Sequence, residues 1–274
     1  MKKISEWEIF KDRSVRIWTA LAAILLFAAG SVFLVWVLYL EMFTGNQRFT
    51  LQKVLVESRG FWQGRKNLIC DILRLKPGET NLFKLDPGAM RNSLLQHEPS
   101  IQYVKVVREL PDTLHINIVE RVPVALVNSA RSPLVVDSEA ILMLRERCMN
   151  ITSSLPVILG LPNSASYPPG GAIQKFKNAV ELIMLTKTAY PDVRIASISV
   201  AKKEQLICAV RYKNSDELYR VMMPDRNLAQ NLQVLVSTLD TMRRTRNPKR
   251  VINLLFRNQV IITDAQSAPR NPWT

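Results

Sequence analysis

Ile101-Gln102-Tyr103-Val104-Lys105-Val106-Val107-Arg108-Glu109-Leu110-Pro111-Asp112-Thr113-Leu114-His115-Ile116-Asn117-Ile118 is the stretch on which the architecture turns. Its second half alternates, with Leu114, Ile116 and Ile118 on one parity, and period two marks a strand with one buried face. Pro111 and Asp112 supply turn chemistry between two β-type runs, so the stretch predicts a hairpin. Just before it, Asp86 is placed as an N-cap with Pro87 at the first helical position, and Met90, Leu94 and His97 share a face until Pro99. A shorter amphipathic helix is predicted from Leu68, Ile69, Ile72, Leu73 and Leu75, stopped by Pro77-Gly78. Ahead of that lies a β-type run from Phe49 to Glu57. Phe49 and Leu51 have one parity and Val54 and Val56 the other, which predicts a bulge or bend near Gln52-Lys53 if all four are buried. Residues 49–122 thus read as strand, helix, helix, strand, strand, with two helices to cover one face of a small sheet.

After Pro123 the texture changes and strands predominate. Leu134-Val135-Val136 and Ala140-Ile141-Leu142-Met143 flank the turn Asp137-Ser138-Glu139, and Leu155 to Gly160 reads as a buried crossing segment. Further β-type runs cover 195–200, 205–212 and 217–222. The last, Val251 to Ile262, is one long bent strand or two joined by a kink at Asn258-Gln259. Two helices interrupt them. One presents Ile173, Phe176, Val180, Ile183 and Met184; the other, starting at Asp225, presents Leu228, Leu232, Leu235, Leu239 and Met242 at a four-three spacing. That spacing resembles a coiled-coil seam for only about two heptads, so packing on the domain's own sheet is expected. The resulting class is α+β, a mostly antiparallel β-domain over 123–264 following the 49–122 module. Residues 265–274, with Pro269 and Pro272, are expected to be disordered.

Toward the amino end, Ile17 to Leu40 runs 24 residues without a charge. As a helix it reaches about 36 Å, against a hydrocarbon core of about 30 Å. Thirteen of its positions are Leu, Ile, Val or Phe, which favours insertion by roughly 6 kcal/mol. The run is too long for a signal peptide and lacks small residues at its end, so a retained anchor over 17–40 is expected, held by residues such as Ile17, Leu25, Trp36 and Leu40. Lys2, Lys3, Lys11, Arg13 and Arg16 place the amino end, residues 1–16, in the cytoplasm and the remainder outside, past a linker at 41–48.

The chain has 37 basic and 23 acidic residues, net charge +14. With the carboxy-terminal region outside the cytoplasm, that excess points to lipid headgroups, wall polymer or an acidic protein rather than nucleic acid. Three Cys and two His are a poor supply for a disulfide scaffold or a zinc site, and no Gly-rich phosphate loop occurs, so neither cofactor nor small-molecule substrate is expected. Ser199-Val200-Ala201-Lys202 has acyl-transferase spacing, but it falls in a β-type region without a Lys-Thr-Gly partner. His97 and His115 read as ordinary helix-end and surface residues. Cys148 and Cys208 could pair if close. The cluster Arg243-Arg244-Thr245-Arg246-Asn247-Pro248-Lys249-Arg250 is basic beside a possible sheet edge, and no acid intervenes between Asp240 and Asp264.

Leu75-Lys76-Pro77-Gly78-Glu79-Thr80-Asn81-Leu82-Phe83-Lys84-Leu85-Asp86, then Pro99 to Leu114, then Glu120-Arg121-x-Pro123-Val124-Ala125, together with Phe49-x-Leu51-x-x-Val54-x-Val56, resemble the POTRA domain of the bacterial FtsQ/DivIB cell-division family. Val135-Val136-Asp137-Ser138-Glu139 and Leu155 to Gly160 extend the likeness into the β-domain, with the turn lacking its usual Gly. The resemblance implies a non-enzymatic, single-pass scaffold of the inner membrane, enriched at the septum. Its implied partners are the FtsB (DivIC) and FtsL coiled-coil pair, with FtsW/FtsI-type synthases beyond them. It also implies that a partner strand joins the terminal edge, mapped here to Leu254, Leu255, Phe256, Arg257 and Asn258, with Lys202 and Lys203 in the place of a basic residue that receives a carboxylate. The rival readings are an outer-membrane POTRA transport or envelope-assembly factor and an anchored wall enzyme.

Overall fold

The computed structural model describes residues 6–44, 46–128, 133–148, 155–161, 167–256 and 259–264, with side chains from Trp18 onward apart from Thr44. The expected disordered tail at 265–274, and Arg257 and Asn258, lie outside the described residues. By its internal contacts the chain divides into two compact units: Met1–Leu55 with Arg74–Met90 and Val106–His115, and Val56–Leu73 with Arg91–Lys105 and Ile116–Thr274.

The first unit begins with helix α1, Glu6–Tyr39, which continues as a π-helical turn over Leu40–Thr44. Within it Trp18–Phe43 is long and apolar enough to cross a membrane, and none of it is buried. A helix apolar all round with no protein over it suits hydrocarbon, where backbone groups must be satisfied internally. Residues 41–48, expected as a linker, hold the end of this turn and most of a 3-10 turn at Gln47–Phe49. The expected strand from Phe49 starts only at Lys53: strand β1 is Lys53–Glu57. Gln52 and Lys53 both donate their N–H to the Asp112 carbonyl, at 2.8 and 3.2 Å. Two residues facing one is a β-bulge, and it accounts for the change of parity that leaves both Leu51 and Val54 buried. Leu51 in turn exchanges hydrogen bonds with Gly78 and Thr80.

A small three-stranded sheet is ordered β1-β3-β2, in which β2 is Ile101–Glu109 and β3 is Thr113–Glu120. Helices α2, Lys66–Leu73, and α3, Pro87–His97, precede the hairpin as the sequence predicts, and Asp86 Oδ1 accepts from Gly88 N at the start of α3.

The second unit carries a nine-stranded sheet ordered β12-β11-β10-β9-β8-β7-β4-β5-β6. Its strands are β4 (Ala125–Val127), β5 (Leu134–Val136), β6 (Leu142–Leu144), β7 (Val157–Leu159), β8 (Val193–Ser199), β9 (Gln205–Tyr212), β10 (Leu218–Pro224), β11 (Val251–Asn253) and β12 (Ile261–Thr263). Five of the eight pairings are antiparallel; β7 with β4, β7 with β8, and β10 with β11 are parallel. Parallel neighbours need a crossover. Helix α4, Lys177–Ala189, joins β7 to β8, and helix α5, Leu228–Arg244, joins β10 to β11. Both helices pack on one core with β8, β9 and β10, and the five residues of the four-three stripe on α5 are all buried there. The stripe is therefore core packing. Helix α5 starts three residues later than expected because Asp225 N bonds the Glu204 carbonyl and Asn227 caps the helix in a left-handed conformation. Strand β4 has no counterpart in the sequence reading, and the run from Val251 proves to be two antiparallel strands.

Candidate partner-binding edge

A sheet has two ends, each a row of unused backbone groups unless something covers it. At the β6 end, Leu142 N donates to Gly171 O and Gly170 N donates to Leu142 O, while Ile141 bridges Ala172. That end is covered by residues 170–172. At the other end β12 has β11 as its neighbour and no further strand among the described residues.

The hydrogen-bond alternation shows which groups of β12 point outward. Arg220 N donates to Arg250 O and Leu254 N to Met222 O, so Arg250 and Leu254 direct their backbone at β10. Val251 and Asn253 therefore face β12, where they oppose Thr263 and Ile261. The N–H and C=O of Ile262 are left on the outer side. Its side chain packs partly on the core, whereas Ile261 is 38% exposed on the other face. Beside it runs a groove of about 600 Å³ lined by Gln230, Val234, Thr238 and Thr241 of α5 and by Val260 and Ile262.

Charge is divided between the two ends of the strands. Where β11 enters the sheet, Arg243, Arg244 and Arg246 are exposed. Arg250 is engaged: it pairs with Glu217 and lies 5.3 Å from the Tyr219 ring. Nearby, Asp240 accepts from Tyr212 Oη and Lys213 Nζ at 2.8 and 2.9 Å, and these bonds hold its carboxyl below the usual value.

Of the residues mapped from the resemblance, Leu254, Leu255 and Phe256 follow strand β11 rather than lying in it, and Arg257 and Asn258 lie outside the described residues. β11 ends at Asn253, whose side-chain Oδ1 accepts from Leu255 N at 3.0 Å and turns the chain off the sheet. Leu254 is buried at 7% exposure, while Leu255 and Phe256 are exposed in the connection to β12. Lys202 and Lys203 are exposed in the β8–β9 turn. They share an end of the sheet with Leu255 and Phe256, because Gln205 opposes Pro224 and β11 leaves the sheet parallel to β10. Strands β10 and β11 still separate β9 from β12, a lateral distance of about 14 Å. Of the anchor residues, Leu25, Trp36 and Leu40 are exposed on the helix and its π-turn, and Ile17 lies on α1.

The chemistry weighed in the sequence takes other places. Ser199 is buried at the end of a strand, not at a helix start, and its Oγ accepts from Ala201 N. His97 Nδ1 lies 2.8 Å from Ser93 O on its own helix. All three cysteines are free thiols. No group of His, Cys, Asp and Glu that could hold a metal occurs among the described residues. A cleft of the second unit, about 1000 Å³, contains Glu120, but that carboxylate is taken up by Ser58 Oγ, Phe61 N and Trp62 N.

Residues 65–121 match the family model described as POTRA domain, FtsQ-type. Over that stretch the chain carries an FtsQ-type POTRA domain. No curated protein matches it. An FtsQ-type POTRA domain behind one apolar helix fits a membrane-anchored interaction scaffold and supports a division-related role. The sequence left residues 251–262 as one bent strand or two, and the structure has two, β11 and β12; the covered β6 end and the groove along α5 had no counterpart in the sequence reading. A hint of the second strand lay in Val260-Ile261-Ile262-Thr263, a β-branched run of its own after Asn258-Gln259.

Proposed function

We propose that the protein is a scaffold of the division septum that receives a strand of the FtsB (DivIC)/FtsL coiled-coil pair on the outer side of β12. The observation that carries this is the end of the nine-stranded sheet at β12, the one left uncovered among the described residues. Strand addition draws its affinity from backbone bonds and its selectivity from side-chain pockets. Here Ile262 supplies the outward N–H and C=O, the groove along α5 takes apolar side chains of the guest, and Arg243, Arg244 and Arg246 favour acidic residues at one end of it. The α1 anchor keeps the amino end in the cytoplasm and the sheet outside, where the pair can link the scaffold to FtsW/FtsI-type synthases.

Ile262→Pro tests the placement. The N–H it removes is the outward one, so the pairing of β12 with β11 keeps its bonds while the guest loses a donor and meets the ring. Affinity for the coiled-coil pair is expected to fall about tenfold or more, with an unchanged circular dichroism spectrum. Full affinity in a folded variant rejects β12 as the seat. A fluorescent fusion should form a midcell band in constricting cells; uniform envelope fluorescence argues against the septal role.

A further inference from the structure

The end of α1 meets the rest of the first unit through a collar of rings. Phe43, the last residue of the apolar span, has its ring centroid 5.1 Å from that of Phe83 and 6.0 Å from that of Phe49. Phe49 and Phe83 meet edge to face at 5.0 Å, and Tyr39 adds a fourth ring 5.3 Å from Phe43. One side chain ties the pieces together. Asn81 Nδ2 donates to the carbonyls of Phe43 and Asn46, at 3.1 and 3.3 Å, while its Oδ1 accepts from Phe83 N at 2.8 Å. Every hydrogen of the amide is used, and Asn81 is buried.

Two short turns of the same design flank this junction. Asn46 caps Gln47–Phe49 and Asn81 caps Leu82–Lys84, each accepting from the N–H two residues on. Each turn carries one exposed cation, Arg48 and Lys84. The neighbouring Lys76 is already paired with Glu79, and Asp86 caps α3, so Glu41 is the nearby acid not so engaged among the described residues.

Placement follows from continuity. A bilayer that holds Trp18–Phe43 has its interface near Tyr39 and Phe43, and rings packed on Phe43 cannot lie far from that level. Aromatic side chains favour this depth, and cations there meet the negative potential of anionic lipids. We propose that the Phe43, Phe49 and Phe83 collar seats the first unit directly on the membrane surface, with Arg48 and Lys84 taking anionic phospholipid headgroups. This rests on the reading of α1 as a membrane span. Two cations at the surface favour the seated state about thirtyfold on anionic lipid at low salt, an advantage that fades as salt shortens the screening length.

The test uses the full chain in nanodiscs of phosphatidylcholine, alone or mixed with phosphatidylglycerol. Cys70 and Cys148 are replaced by Ser, and an environment-sensitive fluorophore is attached at Gln47→Cys or, separately, at Ala29→Cys. Nitroxide lipids labelled in the headgroup or deep in the chains then report depth. The inference expects deep quenching at position 29, headgroup-level quenching at position 47 that strengthens with phosphatidylglycerol, and loss of that gain in Arg48→Glu/Lys84→Glu. Quenching at 29 without any at 47 overturns the collar while the span stands. Equal quenching at 47 in both lipids, unaffected by the charge reversals, overturns the headgroup assignment. Absence of deep quenching at 29 removes the span itself, and the collar with it.

Discussion

The Glu120 carboxylate accepts from Ser58 Oγ and from the N–H groups of Phe61 and Trp62, the latter two at 2.8 and 2.9 Å. It thereby shapes the turn that buries Trp62, whose indole N–H reaches Ser100 Oγ at 3.2 Å. A Cβ on Gly60 would sit 2.2 Å from a Glu120 carboxylate oxygen. Glu120→Ala strands three donors and is expected to cost about 2–4 kcal/mol in urea unfolding. Gly60→Ala should be destabilising on its own but add little on top of Glu120→Ala, because both disturb the same contact. Glu98 contributes a pH dependence. Burial raises its carboxyl above the ordinary value of 4.5, partly opposed by Arg147 at 3.7 Å. The folded state therefore holds the Glu98 proton more firmly than the unfolded state, so this contribution is complete below pH 4.5 and is lost as pH rises through the folded value. In melts from pH 4 upward, the Tm of Glu98→Gln minus that of the parent should rise with pH. The buried Cys208 thiol is pushed up to about 12 and Cys148 to about 11. Iodoacetamide at neutral pH should therefore leave Cys208 unmodified until the protein is unfolded.

Helix α5 and strand β12 differ in how openly the chain announces them. The stripe Leu228, Leu232, Leu235, Leu239 and Met242 repeats over four turns, and no other backbone period fits it. Leu232→Ala, at a fully packed position of that stripe, should lower stability by about 2–5 kcal/mol in chemical denaturation. β12 is three residues long and has the same β-branched composition as β11, so composition alone cannot separate them. The break between them depends on the Asn253 side chain capturing Leu255 N. Nor does any local pattern reveal that Gly170–Ala172 covers β6, since that contact joins residues nearly thirty positions apart. The bulge at Gln52-Lys53 was legible because a parity change leaves apolar residues on the wrong face unless the strand bends. The exposed face of α5 offers a complementary test of the groove: Val234→Glu should weaken binding of the coiled-coil pair in pull-downs while leaving the melting curve in place.

From the anchor onward the chain separates two tasks, and the exposure of α1 shows how little they share. Leu25, Val32 and Trp36 are exposed along α1, and none of the apolar span is buried. A Leu-Ala span of equal length over residues 18–38 should therefore leave the chain in the membrane pellet after alkaline extraction, with partner binding intact.

The covering of β6 by residues 170–172 has a further outcome wherever many copies meet. A sheet accessible from both sides can add copies without limit and grow into a filament, as cross-β fibres do. With one side closed, self-association through the strands can at most join two copies around a dyad and then stops. The same covering denies a crowd of copies a template for runaway polymerisation through this sheet.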